Sequence, residues 1–239
     1  MTTQAQADHI QLWFAPVAAA YDAAQLAAHE TLLDPNERAR WRRFQYAADR
    51  QRFLVGRAFM RTVLADCLGH ADPATLQFAF TPHGKPELAG PHAGALQFNL
   101  SHTDAMLVLA VSRRHAVGVD VEAVTRKVEL LPLVKRYFAA HEYEDLRELE
   151  DAAQRERFFA LWTLKEAWLK ARGLGLQIPL DDFSFDLTGT HPVIEFGPQL
   201  NDSADAWQFR LLAEGQFRIA LAVHRSATLP LHVQTRAWR

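Results

Sequence analysis

What this chain has little of narrows it before anything it contains. Cys67 is the one cysteine among 239 residues, so a disulfide within the chain is impossible, which fits a reducing compartment. It sits in an apolar helical pattern with Leu64 and Leu68 and reads as a small core residue rather than a nucleophile. No apolar run reaches membrane-spanning length. Met1 to Asp8 lacks the charged and apolar regions of a signal peptide, so the expected location is cytoplasmic. A net charge of −2 sets up no strong field toward nucleic acid or membrane. Two familiar devices are missing as well. Gly84-Lys85-Pro86 is not a Walker loop, which needs Gly-Lys-Ser/Thr opening a helix. No Gly-x-Ser-x-Gly elbow surrounds Ser101.

What is there suffices for a sizeable core: 49% of the residues are hydrophobic. His9 to Val17 alternates in part and reads as a strand, followed by an alanine-rich helix and by another that starts at Asp34-Pro35. Arg38, Arg40, Arg42 and Arg43 then crowd together, either as a solvated helix face or as a source of phosphate contacts. A long helix over Asp49 to Leu68 has Asp49 as its N-cap. Leu76 to Phe80 reads as a strand, and Thr81 to Leu88 as a turn-rich loop. Gln97 to Leu100, Met106 to Val111 and Val117 to Val121 are extended. Val128 to Phe138 and Glu142 to Leu149 are helical.

The segment Phe158 to Leu176 organises the chain. Phe158, Leu161, Trp162, Leu164 and Trp168 recur at helical spacing, and Gly173 and Gly175 end the pattern. Short strands follow from Phe183 on. An echo joins the two halves. In each, a long helix ends in Leu-Gly, a Phe-x-Phe strand comes next, and an apolar strand follows later. Two amphipathic helices can match by coincidence; a tandem repeat with a ligand cleft between its halves is the functional reading.

Three constellations carry chemistry. Asp120 and Glu122 share one face of a strand whose other face is Val119 and Val121. Read alone they are a sheet edge or a cation site, since Mg²⁺ takes one or two carboxylates plus phosphates. Glu166 on the long helix would complete such a site. Lys170 lies one turn on from Glu166, on the same face. In isolation that spacing is an exposed ion pair worth about 0.3–0.5 kcal/mol. Ser101 and His102 are adjacent on an extended segment, so they face opposite ways and form no hydrolytic triad. Near a turn, a hydroxyl and an imidazole can instead both donate to a phosphate. Lys85 is presented from a loop bent by glycine and fixed by proline.

In this order, Gly-Lys-Pro, Phe-Asn-Leu-Ser-His, Gly-Val-Asp-Val-Glu and Trp-Thr-Leu-Lys-Glu-Ala-Trp-Leu-Lys resemble the 4'-phosphopantetheinyl transferase superfamily. The chain is most similar to its larger, monomeric type, which activates carrier proteins of peptide, polyketide and siderophore synthases. The resemblance runs from about Arg38 to Phe185. It implies a reaction in which the phosphopantetheine arm of coenzyme A moves to a serine hydroxyl of an acyl or peptidyl carrier protein, releasing adenosine 3',5'-bisphosphate. It implies Mg²⁺ held by Asp120, Glu122 and Glu166. Arg40, Lys85, Ser101, His102 and Lys170 match coenzyme A contacts. For that chemistry the catalytic residues expected are Glu166, to take the serine proton directly or through a water, and Lys170, to stabilise or protonate the leaving phosphate. A further basic position of the family falls at Glu37, an acid here.

The fold it implies is α+β: two similar halves in tandem, 1–115 and 116–239, related by a pseudo-twofold. Each is a long helix on a small, largely antiparallel sheet, with the site in the cleft between. A non-catalytic relative would be expected to lack an acidic ligand, and all three are present. A nucleic-acid module would need a basic balance and a stacking platform, and neither is found.

Overall fold

The computed structural model describes residues 9–17, 21–226 and 230–238. The Met1 to Asp8 segment lies outside them. The chain is α+β, with eleven strands in four small sheets and six α-helices among the described residues.

β1 (His9–Pro16) leads through α1 (Ala23–Thr31) and α2 (Pro35–Arg42) to the long α3 (Ala47–Cys67). Asp34 caps α2 with a reciprocal capping box to Glu37, and Pro35 stands at the first turn, where a missing N–H costs nothing. Asp49 is not the cap of α3. The helix starts two residues earlier with Tyr46 before it, and Asp49 lies in its first turn, where its charge suits the helix dipole.

A hairpin follows, β2 (Gln77–Phe80) with β3 (Pro86–Ala89). The turn-rich loop therefore ends in a strand: Gly84 takes a left-handed φ of 82° and turns the chain back on itself. β4 (Gln97–His102) and β5 (Met106–Ser112) complete a sheet of order β11-β1-β5-β4, in which β11 is His232–Ala237.

The second part repeats the elements. β6 (Val117–Ala123) leads through α4 (Leu130–Tyr137) and α5 (Ala140–Arg147) to α6 (Asp151–Arg172). The hairpin β7 (Phe183–Asp186) and β8 (Val193–Phe196) follows, then β9 (Trp207–Glu214) and β10 (Phe217–His224), in a sheet of order β6-β10-β9. The last strand, β11 (His232–Ala237), returns to pair parallel with β1.

Burial follows the alternation of the sequence. Val119 and Val121 point into a core shared by the two sheets, with Ile10, Val108 and Leu221. α6 packs Phe158, Leu164 and Trp168 against Phe183, Phe185 and Phe209, and Trp162 is partly buried on the same cluster. Cys67 is buried, and burial pushes its thiol pKa up to about 11, so it is a core residue and a poor nucleophile. No helix among the described residues is long and apolar enough to cross a membrane.

Candidate active site

The site forms where β6 lies against α6. A Cβ built on Gly118 would stand 2.0 Å from the carbonyl oxygen of Ala167 and 2.4 Å from the nitrogen of Ala171. Only glycine lets the strand come so close. That approach brings Asp120 and Glu122 beside Glu166 and Lys170.

Asp120 is buried. Its Oδ1 accepts from Lys170 Nζ at 2.5 Å and from Ser101 Oγ at 2.9 Å, while its Oδ2 is buried with no hydrogen-bond partner. Lys170 therefore turns to Asp120 across the site, not back to Glu166 one turn away. Its Nζ also donates to Ser101 Oγ at 3.0 Å. Glu122 is held by Arg126 at 2.5 Å. Burial pushes the pKa of Glu166 up, and the charges of Asp120 and Glu122 add to that, against Lys170. At Glu122 burial also raises the pKa, against Arg126. Three carboxylates thus repel across a desolvated space. Among the described residues no three acidic, histidine or cysteine side chains are drawn up as a ready metal-binding group. Cations of the protein hold two of the carboxylates instead. The donor set still suits a hard divalent cation: it consists of carboxylate oxygens, and one of them is buried without a partner.

Glu166 and Lys170 open into a cavity of about 290 Å³ with Lys85, Asn99 and Gly173. Gly173 ends α6 at a left-handed φ of 67°, and its missing Cβ leaves room for Lys85, whose Cδ would stand 3.1 Å away. Lys85 Nζ donates to the carbonyl of Ala171 at 3.1 Å, so the Gly-Lys-Pro loop is pinned to the end of α6. Burial lowers its pKa, against Glu87. Pro86 and Asn99 also border a second cavity of about 230 Å³, lined by Arg40, Arg52, Arg57 and His102. Arg40 and Arg57 each set a guanidinium 5.3 Å from the centre of the Phe53 ring. Partial burial, then the charges of Arg52 and Lys170, lower the pKa of His102.

Of the residues singled out in the sequence, Asp120, Glu122, Glu166, Lys170, Ser101 and Lys85 gather at one place. Arg40 and His102 line the adjoining cavity. Arg38 does not; it donates to the carbonyl of Glu30 at 3.0 Å at the end of α1. Glu37 turns inward to Arg61, which explains an acid at that position. Arg52, Arg57 and Asn99 escaped the sequence reading. The arginines sit one turn and more into α3 among many charged residues, with no motif to mark them. Asn99 lay within Phe-Asn-Leu-Ser-His, beside two residues that attracted the reading.

Two family models match the chain: one for the 4'-phosphopantetheinyl transferase superfamily over residues 116–222, and one for the N-terminal part of 4'-phosphopantetheinyl transferase over residues 21–114. The 4'-phosphopantetheinyl transferase HetI of Nostoc sp. is 37% identical over 186 residues, covering 77% of each chain. A 4'-phosphopantetheinyl transferase of Bacillus subtilis is 34% identical over 172 residues, covering 72% of each. The 4'-phosphopantetheinyl transferase Sfp of Bacillus subtilis strain 168 is 32% identical, over 66% of this chain and 67% of that one.

Proposed function

Because the chain belongs to the 4'-phosphopantetheinyl transferase superfamily, we propose that the two cavities that share Pro86 and Asn99, one of them lined by Glu166 and by the Lys170 that pairs with Asp120, are where it carries out that family's reaction. The reaction moves the phosphopantetheine arm of coenzyme A to a serine of a carrier protein. The observation that carries the placement is the buried, unpartnered Oδ2 of Asp120 beside a Glu166 of raised pKa. Acidic side chains are normally kept out of such surroundings unless a cation or proton is to be handled there.

The arginine-lined cavity is suited to the phosphates of coenzyme A, with Arg40, Arg52, Arg57 and His102 around it. Lys85 and Lys170 serve the diphosphate in the neighbouring cavity. Asp120, Glu122 and Glu166 would hold Mg²⁺. Bound there, Mg²⁺ neutralises the diphosphate and supports charge on the leaving adenosine 3',5'-bisphosphate. Glu166 takes the proton of the carrier serine. A positioned carboxylate base suits that role. Lys170 leaves Asp120 for the phosphate. Ser101 holds the strand that bears Asp120.

A cytoplasmic, monomeric enzyme belongs to the same reading and accords with its buried lone thiol. So do the tandem halves 1–115 and 116–239. The orders β1-β5-β4 and β6-β10-β9 match strand for strand, with β11 added to the first.

The test is incubation with coenzyme A, Mg²⁺ and a panel of apo-carrier proteins, read by intact mass. Gain of one phosphopantetheine on a carrier is expected. Asp120→Ala is expected to lose nearly all transfer while unfolding at close to the same temperature. An active Asp120→Ala protein would remove Asp120 from the site. Glu166→Gln is expected to slow single-turnover transfer by about 10²–10⁴-fold with Mg²⁺ and coenzyme A saturating. Near-normal rates would leave Glu166 a ligand only.

A further inference from the structure

β4 ends one sheet and β6 begins the other, so each has an outer edge that no strand pairs. The two edges lie side by side, and side chains close the seam. Asn99 Oδ1 accepts the N–H of Val119 at 2.9 Å, and Ser101 Oγ accepts the N–H of Val121 at 3.3 Å. These two peptides flank Asp120. The spacing of two on both strands is what alternate residues on one strand face provide. Both side chains are buried. Ser101 is also hydrogen-bonded to Asp120 and Lys170.

The N–H of Val119 requires an acceptor, so the carboxamide oxygen of Asn99 is the end that faces it. On its other edge β6 is carried by β10, with Asp120 opposite Ala220. The main chain at Asp120 is therefore gripped from both sides. We propose that Asn99 is a positioning residue. Together with Ser101 it clips the backbone on either side of Asp120 and so aims the carboxylate at the cation it is to hold. Fixing a ligand from behind is how outer groups raise a site's affinity.

This rests on the metal reading of Asp120, and the test separates the two. Mn²⁺ is titrated calorimetrically into the full-length protein without coenzyme A, and coenzyme A is titrated separately in EDTA. Asn99→Ala is expected to bind Mn²⁺ about tenfold or more weaker and, although its side chain borders both cavities, to lose clearly less coenzyme A affinity in EDTA than Mn²⁺ affinity. Ser184→Ala, which loses a part-buried hydrogen bond to Glu195 within the β7–β8 hairpin, is expected to bind Mn²⁺ as the unchanged protein does. Equal Mn²⁺ binding by Asn99→Ala and the unchanged protein overturns the proposal. A parallel loss of coenzyme A binding overturns it too, since Asn99 would then be a substrate contact. An unchanged protein that binds no Mn²⁺ either alone or with coenzyme A present overturns the metal reading and this proposal together. If Asn99→Ala does not fold, Asn99→Ser is read in the same way, because its hydroxyl keeps a polar group in the seam but is too short to reach the N–H of Val119.

Discussion

Arg61 on α3 and Lys165 on α6 are both fully buried cations, and each is the fifteenth residue of its helix. Arg61 donates to Glu37 at 2.8 Å, to Asp34 at 3.0 Å and to the carbonyls of Pro73 and Leu76 at 2.9 Å, with Phe78 beneath its guanidinium. Lys165 Nζ bonds Glu142 at 2.9 Å and the carbonyls of Leu180 at 2.8 Å and Phe183 at 2.5 Å, with the Phe183 ring 4.5 Å away. In each case the acid is the third residue of the preceding short helix and closes that helix's own start. One point thus ties a short helix, a long helix and the next hairpin.

The halves part company on the strand. Take Ala110 and Ala222 as counterparts: β1 then sets Leu12 and Phe14 where β6 sets Gly118 and Asp120, and Pro16 where β6 sets Glu122. Similar scaffolds are held by similar buried ion pairs. The chemistry comes from two acids on one strand and a glycine that lets the helix approach them.

The largest effects are expected where the halves agree. Arg61→Met and Lys165→Met each leave a buried carboxylate without its cation, so each is expected to cost about 3–5 kcal/mol in urea unfolding. Arg61→Lys is expected to restore little, because an ammonium does not reproduce the fork that serves two acids and two carbonyls. A loss below about 1 kcal/mol, the worth of a surface pair, would break the comparison at that half. The next effect is where they differ. Gly118→Ala drives a methyl into the α6 backbone and is expected to cost about 1–3 kcal/mol. Transfer activity is expected to fall with it, because β6 moves off Glu166. A Gly118→Ala protein of normal stability and rate would show that the close approach is not required.

Much of this was legible in the sequence. The alternation Val119-Asp120-Val121-Glu122 fixed which side chains face the core, and the spacing of Glu166 and Lys170 put them on one face. Short strands do follow from Phe183 on. The misses have physical causes. Asp49 is a good capping residue, yet α3 starts two residues upstream, behind an exposed Tyr46 that makes no side-chain cap bond. Thr81 to Leu88 is rich in turn formers, but only the tip turns, and Pro86 to Ala89 pairs back. Nothing in the sequence pairs Lys165, because its partners Glu142, Leu180 and Phe183 are distant along the chain. Lys170 was paired with Glu166 by spacing, whereas the nearer acid is Asp120, brought in from another strand. Periodicity reports faces; it does not report which partner crosses the seam.

The smallest effect sharpens the asymmetry from the other side. Gly56 lies in the middle of α3 with an ordinary helical φ, facing β5. A Cβ there would meet Leu107 Cδ2 at 3.8 Å, an ordinary contact, whereas the one on Gly118 would meet backbone at 2.0 Å. Glycine within a helix costs about 0.5–1 kcal/mol relative to alanine, through the freedom it has in the unfolded chain. Gly56→Ala is therefore expected to raise stability by about that amount, a small upward shift in the urea midpoint at an unchanged slope. Gly56 also borders the arginine-lined cavity, so coenzyme A binding is measured on the same protein. Stabilisation with normal binding means that the first half has slack between helix and sheet where the second has none. Destabilisation would mean that α3 rests on its sheet as closely as α6 does, and the close approach at β6 would no longer distinguish the half that bears the carboxylates.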